Sequence, residues 1–343
     1  MAAPADTSRR TDAIRRARRA ERAPSGGWRT IAAKELADHL ASIRFFVLLV
    51  VVAVLAIIPL YFISGDLSSQ APEVSGAKAL FLALFVVGSN TIGGLTTVFF
   101  VALLVPLVGI AFGFDAVNSE RSQGTLARLL AQPVHRDDVI NGKFAAGIAV
   151  IAMMIGALVL FVAAAGIMRL GIIPGAEEIA RIVVWFLATV LYASFWLAFA
   201  LLLSVVVRSA ASAALIGFGT WLGLTLIGSF LLPIIAGTLF PTSGSTTYDQ
   251  LFAATGAQQL FMRLSPAQLY NDITVAILNP SVSTVLGPSN LAQAISSQET
   301  IPSLLSLDQS ILVVWPQIVL LVALTSAMFA LAYVLFLRQE VRA

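Results

Sequence analysis

The sequence predicts an all-α membrane protein with six transmembrane helices, and three observations carry that prediction. Of 343 residues, 58% are hydrophobic and only 11% charged, where an ordinary soluble domain carries about 25% charge. The charges leave uninterrupted gaps at 45–65, 79–114, 144–168, 182–207, 209–248, 273–298 and 309–337, each longer than the roughly 18 residues a spanning helix requires. The apolar runs are continuous, whereas the strands of a membrane barrel would alternate in polarity over about 10 residues.

Six of the seven gaps qualify as spans. The exception, 273–298, holds two prolines, two asparagines and many serines, with no sustained apolar run. The spans are placed at about 45–63, 95–114, 144–168, 182–207, 211–232 and 311–337. Before them come an Arg-rich tail over 1–27, expected to be disordered and attracted to anionic lipid, and an amphipathic interfacial helix over 28–43. In that helix Trp28, Ile31, Leu36, Leu40 and Ile43 recur at near-helical spacing between charged residues. Pro59 falls near the far end of the first span.

The gap 79–114 is too long for one straight span and is interrupted by Gly-Ser-Asn-Thr-Ile-Gly-Gly at 88–94. We read 79–88 as a separate interfacial or re-entrant helix, with one tilted continuous helix as the alternative. Only Arg208 and Ser209 separate spans 4 and 5, so these form a tight hairpin. The segment 236–310 then forms a small extracytoplasmic cap, with Ser265-Pro266 starting a helix that continues through an apolar-periodic stretch at 269–278.

Orientation follows from Lys and Arg. Seventeen lie on the side of the termini and four on the other, which places both termini in the cytoplasm of a cell-membrane protein. The first apolar run begins only near Phe45, so the first span is expected to remain uncleaved.

One region combines charge, caps and apolar residues densely: the cytoplasmic loop 114–144. Asn118 or Ser119 is placed to cap a helix over about 118–132, Glu120 suits its positive end, Leu126, Leu129 and Leu130 form a stripe, and Pro133 stops it. Such a stripe needs cover, either lipid under an interfacial helix or a partner protein. The chain itself supplies no soluble domain for the purpose.

The motif running Asp115, Glu120-Arg121, Gly124-Thr125-Leu126, Leu129-Leu130, Pro133-Val134, Arg136, Val139-Ile140 and Gly142-Lys143 resembles the permease subunits of ABC-2 type transporters, particularly the subgroup of the nitrous oxide reductase maturation permease. The resemblance implies that the loop is a coupling helix seated in a groove of a separate ATPase subunit, and that 28–43 is the connecting helix. It further implies that Glu120, Arg121, Gly124, Thr125, Leu126, Leu129 and Leu130 shape the ATPase contact, while Pro133, Arg136, Gly142 and Lys143 set the return into span 3. A permease of this kind forms half a pore, so a homodimer is expected. ATP and Mg are then expected on the partner ATPase, and transport as export. An outer protein and membrane lipid complete the expected partners; nucleic acid is not among them. The alternative is a membrane anchor that transmits ATPase motion to an outer protein without transport.

Other chemistries find no support. The Gly-Lys pair at 142–143 is followed by Phe144 and lacks the glycine of a phosphate-binding loop. The two histidines, His39 and His135, lie outside the spans, no Gly-x-Ser-x-Gly is present, and zero cysteines exclude a thiol nucleophile. No acidic or basic residue falls within the six spans, as an ion-driven carrier would require. Polar residues that could face a substrate path are Asn90, Thr91, Thr96 and Thr97 around the start of span 2 and Thr220 and Thr225 in span 5.

Overall fold

A computed structural model describes residues 27–69, 80–86, 96–124, 135–171, 173–243, 247–279 and 305–339. The expected disordered tail up to residue 26, Asn90 and Thr91 lie outside these residues, while Gly27 opens a helix. Thr125, Leu126, Leu129, Leu130 and Pro133 also lie outside them.

Every regular element among the described residues is helical. In chain order they are α1 (Gly27–Ala41), α2 (Ile43–Ser69), α3 (Leu80–Val86), α4 (Thr97–Gly113), α5 (Asn118–Ser122), α6 (Arg136–Leu170), α7 (Ala176–Val206), α8 (Ala210–Leu222), a π-helical turn (Gly223–Ile227), α9 (Gly228–Leu239), α10 (Tyr248–Met262), α11 (Pro266–Leu278) and α12 (Leu307–Arg338). Among the described residues, six helices are long and apolar enough to cross a membrane: Ile43–Ile63, Thr97–Ser122, Arg136–Arg169, Ala176–Val206, Ala210–Leu239 and Leu307–Arg338.

Several helices outrun their apolar stretches, because caps rather than charges end a helix. α6 begins at Arg136 with Asp137 and Asp138 in its first turn and ends where Gly171 adopts φ +67°. α7 begins when the Glu178 carboxylate accepts the Gly175 N–H at 2.8 Å. Pro233, just beyond the expected end of span 5, sits inside α9. The Ser209 hydroxyl accepts from Ser212 N at the tight α7–α8 hairpin.

α7 is the central helix. It buries Trp185, Tyr192 and Trp196 against α4, α11 and α12. α4 approaches it closely because Gly109 and Gly113 present no side chain. A Cβ at Gly109 would lie 2.6 Å from the Ala193 carbonyl oxygen, and one at Gly113 would lie 2.7 Å from Ala200 Cβ. Gly113→Leu is therefore expected to pry α4 from α7 and to lower the detergent melting temperature markedly, whereas Gly219→Leu, where a Cβ would meet nothing within 4 Å, leaves it unchanged.

The separate helix expected before span 2 is α3, but it does not lie on the surface. Phe81, Leu82, Leu84 and Phe85 are fully buried, Phe85 meets Trp185 edge-on, and Phe81 N donates to Glu178 Oε1 at 2.9 Å. Within the segment 236–310, expected as an outer cap, the described helices are α10 and α11. α11 is wedged among α3, α4, α7 and α12 with Leu269, Tyr270, Ile273 and 276–278 fully buried. Pro266 does open that helix, after Ser265. Its apolar face was visible as periodicity, but the surface that covers it comes from distant spans.

Candidate functional site

At the face where the termini lie, the ends of the spans are joined by ion pairs and shared hydrogen bonds. Lys143, in the second turn of α6, sends its side chain inward until only 5% is exposed. Its Nζ lies 3.1 Å from Glu35 Oε1 on α1 and 2.7 Å from Glu120 Oε1 on α5. An ammonium so far from water requires paired charge, and here two carboxylates supply it. One atom thus holds the interfacial helix, the start of the loop and the third span together.

The surrounding contacts repeat that arrangement. Gly142 lets α1 lie directly on α6, since a Cβ there would stand 2.7 Å from Ile31 Cγ2 and 2.9 Å from Trp28 O. Trp28 N donates to Asp138 Oδ1 at 3.1 Å, so α6 caps the start of α1. Arg44 grips Asp115 with both terminal nitrogens at 3.0 and 2.7 Å and also donates to Ala111 O at 3.0 Å. Asp115, at the end of a span, is thus half of a bidentate pair.

The start of α5 is not capped by Asn118 or Ser119, as the sequence suggests. Val117 occupies the cap position without a side-chain bond, and the Ser204 hydroxyl of α7 accepts from Val117 N and Asn118 N at 3.0 and 3.1 Å. The Ser119 hydroxyl instead donates to Asp115 O at 2.7 Å. Asn118 is 2% exposed with neither amide atom hydrogen-bonded. α5 ends at Ser122, and Gly124 follows at φ +67°, so no single helix runs from 118 to 132. Glycine enters the left-handed region without the Cβ penalty of other residues, and here it turns the chain at the entrance to the leucine-bearing part of the loop.

Arg121 and Arg136 meet at the end of α12. Arg121 Nη2 donates to Gln339 Oε1, Arg136 Nη1 donates to Gln339 O at 3.1 Å, and Gln339 Nε2 donates to Val205 O at 2.6 Å at the end of α7. Glu120, Arg121, Arg136 and Lys143 are thus brought together with Glu35, Arg44, Ser204 and Gln339, which the motif did not identify. A charge pattern within one helix cannot reveal partners that only the tertiary fold brings near.

His39 on α1 meets Phe112 edge-on at 5.1 Å. Burial pushes its pKa below the usual histidine value, with Glu35 acting in the opposite direction and Lys143 reinforcing the fall. The neutral ring is favoured in the fold, so this stabilisation is complete above the unfolded pKa of about 6.5 and is lost as pH falls through the lower folded value. The melting temperature of the wild type is expected to drop more between pH 7.5 and 5.5 than that of His39→Phe; parallel curves would contradict this.

On the opposite face, Thr97 does not face a path: it is fully buried and its hydroxyl donates to Leu84 O at 3.0 Å. Thr96 caps α4 by accepting from Phe99 N at 3.0 Å and lines an open cleft of about 410 Å³ with Asn271, Thr274 and Asn279. Thr220 is half-buried on α8, and Thr225, within the π-helical turn, has no hydrogen-bond partner for its hydroxyl among the described residues.

The six helices and their joined ends define a multi-pass membrane protein. The profile of the ABC-2 family transporter protein matches residues 29–341, and the chain belongs to that family. It is a membrane permease subunit of an ABC transporter, a class that does not itself hydrolyse nucleotide and works with an ABC ATPase. No curated protein matches the chain.

Proposed function

We propose that this permease couples to a separately encoded ATPase through residues 115–143, that two copies pair to form the pore, and that transport runs outward. The 17-to-4 division of basic residues supports cytoplasmic termini on the ATPase side. ATP and Mg belong to the partner, and the motif favours the subgroup of the nitrous oxide reductase maturation permease.

The observation that carries the reading is Lys143 between Glu35 and Glu120. A push on the loop reaches α5, and through one ammonium it reaches α1 and α6 together. Arg121 passes it to the end of α12 through Gln339. Nucleotide-driven movement at the loop therefore acts on helix ends as a body, which suits rigid tilting of helices around a pore.

The leucines at 126, 129 and 130 supply the buried part of the ATPase contact, and Glu120, Arg121 and Gly124 set its entrance. Thr125, Pro133, Arg136 and Gly142 shape the segment and its return to α6. The uncharged, amide- and hydroxyl-bearing cleft of Thr96, Asn271, Thr274 and Asn279 favours transport over a purely anchoring role. A protein docked on the opposite face remains compatible with either.

Leu126→Asp places a charge in the apolar part of the contact. Tagged wild type in mild detergent is expected to co-purify a stoichiometric ATPase bearing a phosphate-binding loop, and Leu126→Asp to lose at least ten-fold of it at equal membrane abundance. Equal recovery would remove the leucine stripe from the contact.

A further inference from the structure

We propose that the seam between α2 and α6, at the face opposite the termini, is a binding site for an anionic phospholipid, with Arg169 holding the headgroup phosphate and the cleft beneath it holding an acyl chain. The inference rests on the chain crossing the membrane and needs neither a particular orientation nor an ATPase.

The basic residues of this face differ in one respect. Arg181 is buried and paired with Glu177 at 2.9 Å, and Arg263 is buried and paired with Asp272 at 3.0 Å. Arg169, in the last turn of α6, is exposed and has no carboxylate among the described residues. Its guanidinium lies over the Tyr61 ring with Cζ 4.8 Å from the centroid. The ring face holds the cation beside it, and an exposed guanidinium keeps N–H donors for a phosphate.

Directly below, Ile57, Leu60, Phe161 and Ala165 line an open cleft of about 140 Å³. Water gains nothing in a space bounded by these side chains, and an apolar chain fills it. Four residues of helix separate Ala165 in the cleft wall from Arg169, a rise of about 6 Å, and the hydrocarbon of one leaflet is about 15 Å deep. An acyl chain that starts at the headgroup level beside Arg169 therefore reaches the cleft within its own leaflet. Lone cations at helix ends snorkel to the interface. What distinguishes this one is the ring that orients it and the groove that begins beneath it.

The test is native mass spectrometry of the full-length protein, purified and exchanged into equimolar phosphatidylglycerol and phosphatidylcholine of matched chains. Wild type is expected to retain phosphatidylglycerol at least five-fold over phosphatidylcholine. Arg169→Gln is expected to bring the ratio to about one at an unchanged melting temperature, and Arg208→Gln, a cation at the other face, to leave it at the wild-type value. Ala165→Phe, which fills the cleft, is expected to reduce retention of both lipids. Equal retention by wild type, or the same preference in Arg169→Gln, means non-selective annular lipid only and overturns the proposal.

Discussion

Lys143→Met is expected to disconnect the loop from the interfacial helix and to abolish transport-linked ATP hydrolysis while the protein still reaches the membrane. The variant removes the ammonium between Glu35 and Glu120, whose side chains are only 12% and 15% exposed, while Lys34 Nζ stays 3.6 Å from Glu35 Oε1. Removing one partner of a buried ion pair costs about 3–5 kcal/mol. The residual exposure puts this case at the lower end, since water can reach the carboxylate edges. Arg44–Asp115 and Trp28–Asp138 persist and keep α1 and α2 attached, so the lesion is confined to the loop. Two companion variants separate charge from shape. Lys143→Arg keeps the charge and is expected to retain part of the activity. Lys143→Met with Glu35→Gln and Glu120→Gln removes the stranded charges and is expected to recover stability without recovering coupling. The readouts are ATP hydrolysis by the co-purified complex and the melting temperature of the permease; full hydrolysis in Lys143→Met would contradict the role given to this ammonium.

The second large effect lies at the opposite face. Arg181 is 1% exposed, and its two terminal nitrogens hold both ends of the segment joining α11 to α12: Nη1 donates to Ile277 O at 2.8 Å and Ser310 Oγ at 3.2 Å, and Nη2 donates to Leu305 O and to Glu177 at 2.9 Å. Arg181→Leu keeps the bulk but orphans these acceptors, at about 1–3 kcal/mol for each buried group. α11 and the start of α12 are then expected to loosen from α7, with a large fall in melting temperature and faster proteolysis within 280–304. Arg169→Leu, made on an exposed residue of the same face, serves as the control and leaves both unchanged. Equal stability of Arg181→Leu and wild type would show that this guanidinium does not fasten the two helices.

The spans were legible because each is an apolar run longer than a membrane is thick, and at spans 1, 3, 4 and 6 a charge at each end marks the limit. Their true ends were less so: Arg136–Leu170 and Ala176–Val206 continue through charged turns to a glycine or a capped start. Burial of α3 and α11 was hidden because their covering residues, such as Trp185, lie far along the chain. At the candidate site the motif pointed to Glu120, Arg121, Arg136 and Lys143, all of which meet at one face. It gave no sign of Glu35, Ser204 or Gln339, whose relevance comes only from the fold. It also suggested an unbroken helix from 118, which Gly124 interrupts.

The most direct test of the account places a photo-activatable cross-linker at Leu129 of the tagged permease and irradiates membranes of the native host. A cross-linked product with an ATPase bearing a phosphate-binding loop, absent when the cross-linker is at Phe230 on the exposed side of α9, is the expected result. Cross-links from Leu129 to lipid alone, with the ATPase present in the same membranes, would contradict the coupling role of this loop.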